Sequence, residues 1–255
     1  MASELKASLV ADFSWAIKAA RNNAEWCDFV CRSHRVPGEF YEDIWINRNA
    51  TPPFYPNVVT LSPWESMRHH EIIRELIKMP IPGGWGVKDS FAALDLASEG
   101  FQELLTGEWI CWPKSSDIPD AHIPGISWRK IEKPAELTAW ENAWRGNSQE
   151  RSSIFLPRLL QEQRIVFIAA FQENKILAGC IANRSEHAVG ISNIFLSGET
   201  PREFHAGCVA EVFRRSGGLP LIGWERGDDL VAMRSLGFES VGRLKVWVKR
   251  DEQCG

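Results

Sequence analysis

The last third of the chain, Ile165 to Lys249, is the stretch that most constrains the fold. Two apolar, β-rich runs, Ile165–Phe171 and Ile176–Ala182, flank Gln172–Lys175, which is a hairpin signal. A third apolar run, Ala188–Leu196, follows. Phe204 to Arg215 then sets Val209, Val212 and Phe213 at helical spacing. Leu219–Trp224 is short and apolar, the mark of a buried strand. Asp228 to Leu236 is again helical, with Asp as cap, Leu230, Met233 and Leu236 as the apolar stripe, and Gly237 as the stop. Val241–Val248 closes as a strand. A hairpin, a third strand, and two helix–strand steps predict an α/β (α+β) fold: a mixed sheet flanked by helices.

Composition sets outer bounds. At 255 residues the chain is one large domain or two small ones, with 44% hydrophobic and 24% charged residues, as in ordinary globular proteins. Twelve Trp require large cores or pockets to receive their rings. A net charge of −4 without a basic stripe argues against nucleic-acid binding. The first residues lack the apolar centre of a signal peptide, and no apolar run approaches membrane length. The six Cys form no CxxC pair, so reduced thiols and a cytoplasmic setting are expected.

In the first half, Leu5–Arg21 is an amphipathic helix, with Leu9, Phe13 and Ile17 four apart, and Ala24–Ser33 continues helically. Cys27, Cys31 and His34 share one face of it. They read as zinc ligands or as core packing, and the absence of a fourth ligand at finger spacing favours packing, with no metal expected. Phe40–Ile46 is a short strand or an aromatic loop. Thr51–Pro56 is held extended by prolines, lining a pocket or packing as a lid. Val58–Leu61 is a strand, and Ser62, Pro63 and Glu65 open a helix that runs to Pro80. On that helix His69 and His70 point about 100° apart, a poor clamp for a metal, and are expected to be solvent-exposed.

A faint internal repeat is present. Leu94–Leu104 followed by Glu108–Trp112 echoes Leu230–Ser240 followed by Leu244–Val248, each as helix, Gly-Phe and strand. The reading is one supersecondary unit used twice, the first copy degraded; the alternative is chance similarity over few positions. Lys114–Gly125, polar and proline-bearing, is the best linker. It divides an N-terminal α/β half, residues 1–113, from a C-terminal domain, residues 126–255. That domain opens with a strand at Trp128–Ile131 and helices at Pro134–Trp144 and Phe155–Glu162.

This order, ending in a helix, Gly237-Phe238 and a strand, resembles the GCN5-related N-acetyltransferase family over the C-terminal half. The resemblance implies acetyl-CoA or another acyl-CoA as cosubstrate, held where two central parallel strands splay apart. It implies backbone contacts to the acyl-pantetheine arm from Ile194, Phe195 and Leu196. It also implies a pyrophosphate seat at a helix N-terminus, where amides and dipole favour an anion. The family loop, Gln/Arg-x-x-Gly-x-Gly/Ala, is matched by Arg202–Gly207, so Arg202, His205, Ala206 and Gly207 are the cofactor-binding candidates; the alternative is a surface helix start that binds nothing.

Two departures stand out. His205 replaces the first loop glycine, and Met233 occupies the place of the family's Tyr acid, which Met cannot serve. For catalysis the candidates are Glu225, at the carboxyl end of a strand where open α/β sheets place ligands, and Asn193, polar amid Ile191, Ile194 and Phe195. Glu225 and Arg226 are alternatively an ion pair with Asp228 or Arg243, and Ser192-Asn193 alternatively a strand bulge. Cys180 and Cys208 are read as packing. Two functional readings follow: an acyl-CoA-dependent N-acyltransferase acting on an unidentified small-molecule or protein amine, or a non-catalytic module binding a small ligand or protein partner. No Gly-x-Ser-x-Gly elbow supports a hydrolase.

Overall fold

The computed structural model describes residues 2–112, 122–146, 148, 152–198, 201 and 203–250, with side chains from residue 13 onward. The chain forms two compact units, residues 1–109 with 240–255, and residues 110–239. This differs from the expected division into 1–113 and 126–255: the closing strand belongs to the first unit. Most of the expected linker, residues 114–121, lies outside the described residues.

In the first unit a single helix, α1 (Ala2–Ser33), joins the two helical segments expected there. Strands β1 (Glu39–Phe40), β2 (Ile44–Ile46) and β3 (Val58–Thr60) form an antiparallel meander. Helix α2 (Ser66–Ile77) crosses over to β4 (Trp85–Asp89), which lies parallel to β3. The last strand of the chain, β11 (Glu239–Lys249), pairs antiparallel with β4 from Lys245↔Asp89 to Lys249↔Trp85. Its Trp247 is buried with Trp85, Val87 and Phe101, which is what holds that strand in this unit. Strand β5 (Gln102–Trp112) lies on the other side of β11.

Three expectations change here. Helix α2 starts at Ser66 instead of at Ser62, whose hydroxyl accepts the Trp64 amide in a local turn. Leu94–Leu104 is not a helix. The Asp89 carboxylate accepts the amides of Phe91 and Leu94, and Leu94 and Leu96 point inward two apart, an extended spacing. Only one 3₁₀ turn, Ala97–Glu99, remains. His69 is buried, not exposed: its Nε2 sits 3.0 Å from the Asp43 carbonyl, and burial lowers its pKa. His70 meets Glu99 at 3.2 Å.

The repeat survives at its stop signal. Gly100 (φ +83°) bonds back to Ala97 and Phe101 to Leu96; Gly237 (φ +97°) bonds back to Arg234 and Phe238 to Met233. Both are the same two-bond helix stop, with a left-handed Gly and a Phe returned to the core, and each leads into an 11-residue strand.

In the second unit β6 (Ser127–Lys130), β7 (Ile165–Gln172), β8 (Lys175–Arg184) and β9 (Val189–Leu196) form an antiparallel meander. Helix α4 (Phe204–Arg215) crosses over to β10 (Leu221–Glu225), parallel to β9, and α5 (Gly227–Ser235) follows. Helix α3 (Pro134–Arg145) lies between β6 and β7 in sequence; the expected helix at Phe155–Glu162 is only a 3₁₀ turn, Pro157–Gln161. On α3, Trp140 packs edge-on to Phe167 and Phe195 and donates its indole N–H to the Ile168 carbonyl at 2.9 Å. Gly179 makes room for it, since a Cβ there would stand 2.6 Å from both Trp140 and Phe195. Helix α4 carries Cys208 and Val209 into a core with Cys180, Ile191, Met233 and Phe238.

Candidate active site

The carboxyl ends of β9 and β10 define the site. They share two register pairs, Val189↔Leu221 and Gly190↔Ile222, and pairing then stops. Gly223 lies so close to the Ile191 carbonyl that a Cβ would come within 2.7 Å of it. On its other side β9 remains paired with β8 out to Leu196↔Ala178, but with a register shift between Gly179 and Ile181. Asn193 and Ile194 there face the single Cys180, which makes a β-bulge. Asn193 adopts φ +51°, a left-handed conformation that Asn tolerates well, and its Nδ2 donates to Ser192 Oγ at 3.1 Å. Past Ile191 no β9–β10 register pair continues among the described residues, which is where the crevice of a parallel sheet lies.

Glu225 ends β10. Burial, with the charge of Asp229 second, pushes its carboxyl up to about 8, into the range where a carboxylate can exchange protons at neutral pH. It makes no ion pair among the described residues, so the alternative of an ion pair with Arg243 is not what holds it. Asp229 lies in the first turn of α5, where the helix dipole favours a carboxylate. His205, second residue of α4 and buried, brings Nε2 to 3.6 Å from Asp229 Oδ1. The structure thus gathers Glu225, Asp229 and His205 from three elements. A pocket of about 390 Å³ opens beside His205, lined by Glu203, His205 and Ala206 of the α4 start and by Val231, Ser235 and Leu236 at the end of α5; Glu225 and Asp229 are not among its lining residues.

The other candidates divide. Phe195 and Leu196 pair with Gly179 and Ala178, and the Phe195 ring is spent on Trp140, so only backbone there can face a ligand. Gly207 has a different task from the expected anion contact. Its amide bonds to the Glu203 carbonyl, and the Trp128 ring lies where its Cβ would be. The Phe204 amide is likewise taken, by Pro201. Arg202 lies outside the described residues. Met233 is buried in the core. Cys27 and Cys31 are buried on α1; burial pushes the Cys27 thiol up to about 11 and Cys31 higher still. No cluster of three or more metal-ligating side chains occurs among the described residues. Sequence reasoning missed Asp229, whose signal was its place one turn into the helix that follows Glu225.

No protein-family profile and no curated protein matches the sequence. Solved structures do. A GCN5-related N-acetyltransferase from Kribbella flavida aligns over 91% of this chain and 95% of its own, with a TM-score of 0.57 at 16% identity. The fold is that of the GCN5-related N-acetyltransferases. A second GNAT structure, from Sphaerobacter thermophilus, covers 83% of this chain and 82% of its own, with a TM-score of 0.54 at 12% identity. A tandem GNAT protein from the clavulanic acid biosynthesis pathway covers 81% and 78%, with a TM-score of 0.51 at 11% identity. The GNAT likeness extends well beyond the C-terminal half, and the tandem case accords with the twice-used Gly-Phe stop.

Proposed function

We propose that the second unit carries an acyl-CoA-dependent N-acyltransferase site. The observation that carries the reading is Glu225: a carboxyl raised to about 8 at the mouth of the crevice where β9 and β10 part. A base of that strength can take the proton of an amine acceptor as its nitrogen becomes a nucleophile. The stretch of β9 beyond Ile191, past its last register pair with β10, suits the extended amide chain of a pantetheine arm, which would add like a strand. When bound, acyl-CoA supplies the activated thioester; the chain's own part is to seat it along Ile194–Leu196 and to receive the proton at Glu225. The start of α4, with His205, Ala206 and Arg202, is the expected side for its phosphates, in a cytoplasmic enzyme acting on a small-molecule or protein amine.

A second reading, a binding module without catalysis, is favoured by Gly207 and Met233. The first is committed to its helix and to Trp128, and the second gives the core a thioether where a proton donor would stand. Calorimetry with acetyl-CoA on the wild type, Arg202→Ala and His205→Gly separates the readings. Dissociation constants in the tens to hundreds of micromolar, about −5 to −6 kcal/mol, are expected for the wild type. Weakening in Arg202→Ala and loss of transfer to an amine panel in Glu225→Gln support the enzyme. Absence of binding at millimolar acetyl-CoA overturns it.

A further inference from the structure

A second pocket of the same unit shares no lining residue with the one beside His205. It measures about 360 Å³ and is bounded by α3, by Arg129 of β6 and by the β7–β8 hairpin. Its walls follow from two periodicities. Ala135, Ala139 and Ala143 stand four apart, so three methyls share one stripe of α3 and leave space that longer side chains would fill. Ser127 pairs with Phe171, which puts Arg129 and Phe171 on one face of the sheet as diagonal neighbours. Trp128, between Ser127 and Arg129, turns to the other face and lies against Gly207 of α4. Arg129 is held in place from two sides. Its Nη1 donates to Glu136 Oε1 at 2.7 Å, and its guanidinium lies 3.9 Å from the Phe171 ring centre. Glu136 is itself pinned at the start of α3, where its Oε2 accepts the amides of Glu132 and Lys133 at 3.2 and 3.3 Å. One corner of the guanidinium is thus spent, while its Nε and Nη2 donors meet no acceptor among the described residues.

We propose that this pocket binds a small carboxylate with an apolar body, the acid on the Nε–Nη2 edge of Arg129 and the body against the alanines, Phe171 and Ile176. A planar fork of two N–H donors matches the two oxygens of a carboxylate, which selects an acid over an amide or an amine. Away from Arg129, Glu136 and Asn174 the lining is methyl groups, an aromatic ring and Ile176, which suits an apolar remainder. Glu136 and Phe171 fix the fork before any ligand arrives, so little ordering is left for binding to impose. The site owes nothing to Glu225 or to acyl-CoA, and it stands whether or not the β9–β10 crevice is catalytic.

The probe is phenylacetate, with phenylacetamide and phenethylamine as its neutral and cationic counterparts. Backbone amide NMR shifts of the full chain are followed on titration. The acid should give saturable shifts confined to α3, β6 and the β7–β8 hairpin, with the amide weaker by about tenfold or more and the amine without effect. Arg129→Met keeps an apolar stem over Phe171 and removes the fork, so it should weaken the acid to the level of the amide. Ala139→Leu, at an exposed position of α3, fills the space without touching Arg129 and should abolish binding. Should Arg129→Met fold poorly, the three probes and Ala139→Leu still decide the matter, since neither alters Arg129. No saturable shift from the acid up to about 50 mM, equal binding of the amide, or unchanged affinity in Ala139→Leu overturns the proposal.

Discussion

Replacing Lys88 by Met should stabilise the protein. Lys88 is buried at the end of β4, with Nζ 3.0 Å from Asn23 Oδ1 and 5.8 Å from the Trp109 ring centre. Burial lowers its pKa from 10.5 to about 8. The sign follows from that direction: the unfolded chain binds the proton more tightly, so the penalty is full below pH 8 and fades as the pH rises toward 10.5. At pH 7 a depression of about 2.5 units corresponds to roughly 3 kcal/mol. Met keeps the apolar stem and fills the space. Against the gain stand the Asn23 hydrogen bond, about 1 kcal/mol, and the weak ring contact, about 0.5 kcal/mol. The net expectation is about 1–2 kcal/mol of stabilisation at pH 7, shrinking at pH 9.5. Urea denaturation at both pH values, with hydrogen exchange of the β4 amides to localise the effect, measures it. A loss of stability at pH 7, or an equal gain at both, would show that the ammonium is well solvated or well paired where it lies.

Other expectations are simpler. Gly237→Ala forces a side chain onto φ +97° and should cost about 1 kcal/mol or more in the unfolding midpoint; an unchanged midpoint would mean that the helix stop is elastic. Gly207→Ala drives a methyl into the Trp128 ring and should destabilise by about 1–3 kcal/mol, with altered Trp fluorescence; a neutral effect would return Gly207 to the ligand side. Glu225→Gln should melt with the wild type near pH 4.5 and above it as the pH climbs through 8. The folded site holds its carboxyl proton to about 8, so wild-type stability is lost over that window. Parallel melting curves across the range would place the carboxylate in water.

The elements with strong period and clean punctuation were legible. Helix α4, strands β7 to β10 and the Gly237 stop lie where Val209, Val212, the hairpin residues and the glycine put them, because each signal is local. What escaped depended on distant partners. The apolar residues of 94–104 fit a helix in a list but serve an extended segment once the Asp89 carboxylate takes the amides. His69 looked like surface until Asp43, 26 residues away in sequence, proved to be its partner. The site was half legible. Glu225 remains a candidate from its place at a strand end, while Asn193 sits at the β-bulge that was its alternative reading. Gly207 misled because a glycine that admits Trp128 and one that admits a phosphate look alike in sequence.

The home of β11 in the first unit has a consequence for how the chain comes off the ribosome. The exposed flank of β4 waits for residues 240–249, although everything else in that unit is made by Trp109. At translation rates of about 5–20 residues per second, the intervening residues 110–239 take roughly 7–26 s. Through that interval the nascent unit carries an unfilled slot lined by Trp85 and Val87, open to capture by a foreign strand. The part made first is finished last, and trimming the final dozen residues should injure the beginning of the protein.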